Sequence, residues 1–177
     1  MALAIDHGAT DVALLEQPIG NVLEDTVARH GDREALVVAH QGIRQTWTEF
    51  NESVDAVAKG LMARGIGVGD RVGMWSPNFA EWIYIQFATA KIGAIQVNVN
   101  PAYRTNELEY ALNQSGAKML VTRTEYLTSD YRDMAKLCAT TVLSYSTLST
   151  STPTTGPSSL RPESRCPMTP SEIAWPS

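Results

Sequence analysis

Basic charge is the first thing this chain is short of. Fourteen Lys and Arg face 19 Asp and Glu, a net charge of −5 over 177 residues. Nucleic-acid binding usually rests on a basic stripe that neutralises phosphates, and this balance argues against it. Cysteine is nearly absent, with only Cys138 and Cys166. Two thiols so placed make no disulfide framework and read as free thiols in a reducing compartment, the cytoplasm. The three histidines, His7, His30 and His40, have no metal-ligand spacing, so no metal residue is assigned. No apolar run reaches the roughly 20 residues that a bilayer span requires. The N-terminus has no basic n-region and carries Asp6 and Asp11 inside its apolar run, which reads against a secretory signal. Across 1–136 there are no paired carboxylates and no nucleophile beside a base, so no catalytic residue is assigned.

Charge then runs out along the chain. Up to Lys136 there are 12 Lys and Arg and 17 Asp and Glu. Beyond it only Arg161, Glu163, Arg165 and Glu172 remain, together with six of the nine prolines. The organisation expected is a leader over 1–17, a folded α/β part over 18–137, and a Ser/Thr/Pro-rich, disordered tail over 138–177.

Within the folded part, periodicity names the elements. Ile19, Val22, Leu23 and Val27 fall at helical spacing from Pro18 to His30, and Gly31-Asp32 stops the helix. Glu34–Ala39 and Ile43–Trp47 are short β-prone runs about a His40-Gln41-Gly42 turn, which predicts a hairpin. Thr48 has the chemistry of an N-cap. The helix after it presents Phe50, Val54, Val57, Ala58, Leu61 and Met62 on one face and ends at Gly65.

The stretch Asp70–Thr122 organises the rest. It reads as strand (71–75), helix (79–92), strand (94–98), helix, strand (118–122) with almost no slack. Asn78 is the expected cap of the first helix, and Asn106 with Glu109 the capping box of the second. The first helix is apolar over much of its circumference, through Phe79, Trp82, Ile83, Ile85, Phe87 and Ala88, and should be buried between layers. Tight loops of this kind predict a parallel βαβαβ unit with right-handed crossovers. Ligands in such sheets bind outside the carboxyl ends of the strands, here Trp75–Asn78, Asn98–Tyr103 and Thr122–Glu125. A further helix is expected over about Ser129–Leu137 and a strand at Thr141–Ser144.

Gly65-Ile66-Gly67-Val68-Gly69-Asp70 has the composition of a phosphate loop. A dinucleotide fingerprint, however, follows a strand and opens a helix. This segment follows a helix and opens a strand, so it reads as a cap and a turn.

Three blocks carry a family resemblance. They are Asp70-Arg71-Val72-Gly73-Met74-Trp75-Ser76-Pro77-Asn78, then Ala88-Thr89-Ala90-Lys91-Ile92-Gly93-Ala94, then Val99-Asn100-Pro101-Ala102-Tyr103-Arg104-Thr105-Asn106-Glu107-Leu108-Glu109-Tyr110. Upstream, Asp32-Arg33-Glu34-Ala35-Leu36-Val37 and the run from Thr48 to Asp70 fit as well. Together, over about 16–136, this text resembles the medium- and long-chain fatty acyl-CoA synthetases of the adenylate-forming, AMP-binding superfamily. The resemblance implies an acid–thiol ligase of fatty acid metabolism, with the N-terminal subdomain of the adenylate-forming fold. In that chemistry a carboxylate attacks the α-phosphate of ATP to give acyl-adenylate and pyrophosphate. The CoA thiol then displaces AMP. The family uses ATP, Mg²⁺ and CoA, and the resemblance places Asn100, Pro101 and Ala102 near the path of the CoA nucleotide. As residues, the same three read as a turn, with Pro101 fixing φ.

The family's phosphate loop, its Tyr-Gly-x-Thr-Glu segment, its ribose-binding Asp and its C-terminal Lys have no counterpart in this text. Thr152-Pro153-Thr154-Thr155-Gly156-Pro157 is similar to the core of that loop, yet no lysine follows Lys136. The abrupt change near 138 suggests a broken coding frame with an unrelated tail, which translation of the neighbouring DNA would test. The expectation is a synthetase N-terminal part that is inactive alone and retains no cofactor. The alternatives are an interaction module that pairs with a complementary chain or intact homologue, and a free-standing small nucleotide-binding domain. The last is the weakest, for want of a phosphate fingerprint at any strand end.

Overall fold

The computed structural model describes residues 7–9, 11, 13–123, 125–126, 129–135 and 141–145. Cys138, Cys166, the Thr152–Pro157 segment and the tail from 146 lie outside the described residues, as does most of 1–12.

Helix α1 (Ile19–His30) starts after Pro18, whose carbonyl accepts from the Asn21 and Val22 N–H groups. It ends with the basic residues Arg29 and His30 in its last turn, and the Arg29 cation lies where the helix dipole favours it. Its buried stripe is Gly20 and Leu23, while Ile19 faces solvent. Strands β1 (Glu34–Val38) and β2 (Ile43–Thr46) form the expected antiparallel hairpin across one 3₁₀ turn, Ala39–Gln41. Gly42 closes that turn at φ 68°, a left-handed conformation that costs glycine little.

Helix α2 (Trp47–Ala63) is capped by Thr46 rather than Thr48. Thr46 Oγ1 accepts from the Glu49 N–H, and the Glu49 carboxylate accepts from the Thr46 N–H in return. Thr48 cannot make this reciprocal box, because its third following residue is Asn51 rather than Glu or Gln. At the other end the Gly65 N–H bonds to the Met62 carbonyl and the Ile66 N–H to the Leu61 carbonyl, a Schellman close. Phe50, Val54, Val57, Ala58 and Leu61 are buried, and Met62 is 52% exposed, on the rim of the apolar stripe.

The central unit follows in order: β3 (Arg71–Trp75), α3 (Ala80–Ile92), β4 (Ile95–Val99), α4 (Thr105–Ser115) and β5 (Met119–Arg123). β4 and β5 each sit one residue later than the sequence suggested, because the β3 register pairs Arg71 with Ile95 and Val72 with Met119. Two expected caps move as well. Asn78 does not cap α3; the Ala80 N–H is taken by Gln41 Oε1 from the hairpin. α4 is capped by Glu107, whose carboxylate accepts from the Arg104 N–H, in place of an Asn106–Glu109 box. A two-residue ladder, β6 (Glu125–Tyr126) with β7 (Ser129–Asp130), precedes the short α5 (Tyr131–Ala135), so the expected 129–137 helix begins later. β8 (Thr141–Tyr145) then pairs in parallel with β5.

The resulting sheet is parallel, with strand order β4-β3-β5-β8, one strand more than the βαβαβ unit alone. Alternation along β3 sends Val72 and Met74 to one face and Gly73 and Trp75 to the other. The first face, with Met119 and Val121, packs on α1, α2 and α3. The second, with Leu120 and Val99, packs on Leu108 and Leu112 of α4 and on Tyr131 and Ala135 of α5. Right-handed crossovers force this division, because the chain moves one way from β3 to β4 and the other way from β4 to β5.

Candidate functional site

The strand order reverses between β3 and β5, and the general rule for open α/β sheets places ligands outside the carboxyl ends of the strands there. The two strand ends are tied together: buried Thr122 donates its hydroxyl to the Trp75 carbonyl at 2.9 Å. Ser76, the first residue past β3, is also buried. Above them the Arg123 guanidinium lies 3.7 Å from the centre of the Phe79 ring, and His40 meets the same ring edge-on at 4.9 Å. The hairpin, the loop before α3 and the end of β5 thus converge on one aromatic residue.

The α3 N-terminus opens onto this rim, and such a terminus is a ready anion site when its N–H groups are available. Here the Ala80 N–H is committed to Gln41 Oε1 at 2.8 Å. The Glu81 carboxylate accepts from the other end of the same amide at 3.0 Å, adding negative charge in the first turn. This arrangement does not fit a triphosphate. Among the described residues no group of three or more His, Cys, Asp and Glu is placed to hold a metal ion.

Asn100, Pro101 and Ala102 form the turn at the end of β4, with exposed side chains. The Asn100 Oδ1 accepts from the Ala102 N–H at 2.9 Å, and the Asn100 carbonyl accepts from the Tyr103 N–H at 3.0 Å. From below, the Trp75 indole N–H donates to the Asn100 carbonyl at 3.1 Å, and the Tyr131 hydroxyl to the Pro101 carbonyl at 2.9 Å. The turn is therefore fixed by its backbone and offers its side chains outward.

The groups with displaced pKa values serve the scaffold. Asp70 is held below the usual carboxylate range by the Lys118 hydrogen bond and then by the Gly67 N–H. Lys118 also donates to the Gly65 carbonyl, so the glycine-rich segment folds back on itself at the amino end of β3, as a turn. Burial opposes the charge of Lys91, yet Asp55 and Glu24 outweigh it and raise its pKa. Burial also pushes Tyr84 up to about 12, helped by the charge of Glu81, against hydrogen bonds with Ser53 and Gln45. Glu49 is lowered by the Thr46 N–H.

Sequence reasoning located the strand ends but missed Gln41, Arg123 and Tyr131 as their furniture. Gln41 caps a helix 39 residues away, and nothing local marks it. Trp75 was legible as a buried strand residue but not as the donor that holds the turn.

An open parallel sheet with helices on both faces and a hairpin at its start is the architecture of the N-terminal subdomain of adenylate-forming enzymes. The N-terminal domain of FACL13 from Mycobacterium tuberculosis superposes with a TM-score of 0.67 at 25% identity, over 72% of this chain and 34% of that one. A Mycobacterium tuberculosis fatty acyl CoA synthetase gives 0.66 at 26%, over 72% and 26%. The family model described as AMP-binding enzyme matches residues 23–175, and the chain belongs to that family. The match runs beyond the 16–136 span of the motifs quoted above. Among curated relatives, the mouse mitochondrial medium-chain acyl-CoA ligase ACSF2 is 44% identical over 134 residues, 76% of this chain. The chain spans only 22% of that relative's length.

Proposed function

We propose that the chain is the N-terminal scaffold of an ATP-dependent fatty acyl-CoA ligase and has no turnover by itself. The reaction it would serve joins a carboxylate to CoA with ATP cleaved to AMP and pyrophosphate. One observation carries the reading: the strand ends where a ligand would sit offer a capped helix N-terminus and a braced turn, with no site for a triphosphate among the described residues. The 44% identity to a medium-chain ligase supports the acyl-CoA class. In this reading Asn100, Pro101 and Ala102 contribute only a stretch of the CoA nucleotide path, and the phosphate-handling parts come from elsewhere.

The test is a thioesterification assay with ATP, CoA and a medium-chain acid. The purified chain should give no acyl-CoA, and genuine turnover would overturn the reading. Adding a chain that carries the remainder of a homologous ligase should restore product if the scaffold role is right.

A second reading, an interaction module for a complementary chain or intact homologue, draws on the sheet edges. Among the described residues β4 and β8 are the outer strands of the sheet, and Ile95 on β4 is 47% exposed. Unpaired edges with apolar residues favour capture of another strand. Co-purification with a specific homologous chain would support it, and a monomer in its presence would count against it.

A further inference from the structure

The turn at the end of β4 is held in an unusual way for an exposed loop. Exposed loops ordinarily take their order from their own backbone and are mobile for that reason. Here two consecutive carbonyls, those of Asn100 and Pro101, are each engaged by a buried aromatic side chain from another part of the chain. Trp75 is 0% exposed and lies at the end of β3, 25 residues before its acceptor. Tyr131 is 2% exposed and opens α5, 30 residues after its acceptor. The two rings meet edge to face, with centroids 4.2 Å apart and planes at 88°. The rings are in direct contact, so each limits the directions open to the other.

We infer that Trp75 and Tyr131 are positioning residues that orient the Asn100–Ala102 turn so that its exposed face meets the nucleotide portion of CoA. This rests on the assignment of that turn to the CoA path. A carbonyl oxygen has two lone pairs. At Asn100 one is used within the turn, by the Tyr103 N–H, and the other by Trp75. At Pro101 the ring fixes φ, and Tyr131 fixes the direction of the carbonyl that follows. With both carbonyls drawn inward, the side chains of all three residues stay on the solvent side. Neither aromatic side chain is accessible to a ligand, so both act only through the turn.

The experiment uses the full chain, isotope-labelled, with amide exchange and a CoA titration followed by NMR. Tyr131→Phe keeps the ring contact with Trp75 and deletes one hydroxyl. It should speed exchange at the Ala102 and Tyr103 amides about 2- to 10-fold, the loss expected for one neutral hydrogen bond. It should weaken CoA by a factor in the same range. Leu112→Val, in the same buried cluster but at a side chain with no hydrogen-bonding group to offer the turn's carbonyls, is the control for general destabilisation. It should lower stability and leave the CoA titration unchanged. Wild-type exchange and wild-type CoA response in Tyr131→Phe would overturn the proposal, as would equal weakening by Leu112→Val. If wild-type protein shows no CoA-dependent shift at residues 100–104, the CoA assignment of the turn falls and the ligand half of the inference with it. The exchange data then decide the orienting role alone.

Discussion

Gly73 is the place where a single methyl group tests the packing most directly. It lies in the middle of β3 on the face covered by α4. A Cβ built there would stand 3.0 Å from Leu112 Cδ2, 3.2 Å from Leu120 Cδ1 and 3.6 Å from the Met119 carbonyl. Leu112 and Leu120 are themselves buried, so they have little room to retreat. Gly73→Ala gains about 0.5–1 kcal/mol by removing a flexible glycine from a strand. It loses about 1–3 kcal/mol by overpacking a filled core. The net expectation for Ala is a loss of about 0–2.5 kcal/mol. Gly73→Val adds two further methyls with no second strand-propensity gain of that size, and should cost about 2–4 kcal/mol. Urea unfolding followed by far-UV circular dichroism measures both. The double variant Gly73→Val/Leu112→Ala should cost less than the sum of its parts by about 1 kcal/mol, since neighbouring sites couple. If Gly73→Val unfolds at the wild-type midpoint with an unchanged slope, α4 does not rest on β3 as described.

Three further outcomes are expected. Thr46→Ala should cost about 1 kcal/mol through the lost capping box, and Thr48→Ala clearly less, in the same urea experiment. Lys91 Nζ bonds to Asp55 at 2.6 Å and to Asn51 at 2.7 Å, and also pairs with Glu24. Lys91→Met should therefore cost about 1–3 kcal/mol and reduce the salt dependence of stability, because Asp55 and Glu24 stay half in water and are spared full burial without a partner. Tyr84 has a folded pKa of about 12 against an ordinary 10, so the neutral phenol is the form that the fold favours. Its contribution is present in full below pH 10 and is lost as pH rises towards 12; Tyr84→Phe should flatten that alkaline fall in midpoint, and an unaltered fall would refute the assignment.

The sequence by itself determined the elements and the family. Apolar spacing marked α1, α2 and α3, and the glycines after α2, α3 and α4 each sit at positive φ where a helix must close. The tight alternation from Asp70 to Thr122 pointed to a parallel sheet, since a helix between two strands with short links returns the chain to the edge it started from. The Gly65–Asp70 segment was legible as a turn for the same local reason: its place before a strand is fixed by chain order.

What only the tertiary structure decided is everything that joins residues far apart in the chain. The bounds of β4 and β5 moved by one residue, because where a strand begins and ends is set by its pairing with β3 and is absent from either strand alone. Gln41, not Asn78, holds the free N–H at the start of α3, because the fold brings the hairpin against that helix end. The meeting of Arg123, Phe79 and His40, and the hold of Trp75 and Tyr131 on the turn at Asn100–Ala102, span separations that no local pattern encodes. A sequence records propensities within a few residues, whereas the direction in which a carbonyl or a ring points is set by whatever the fold packs against it.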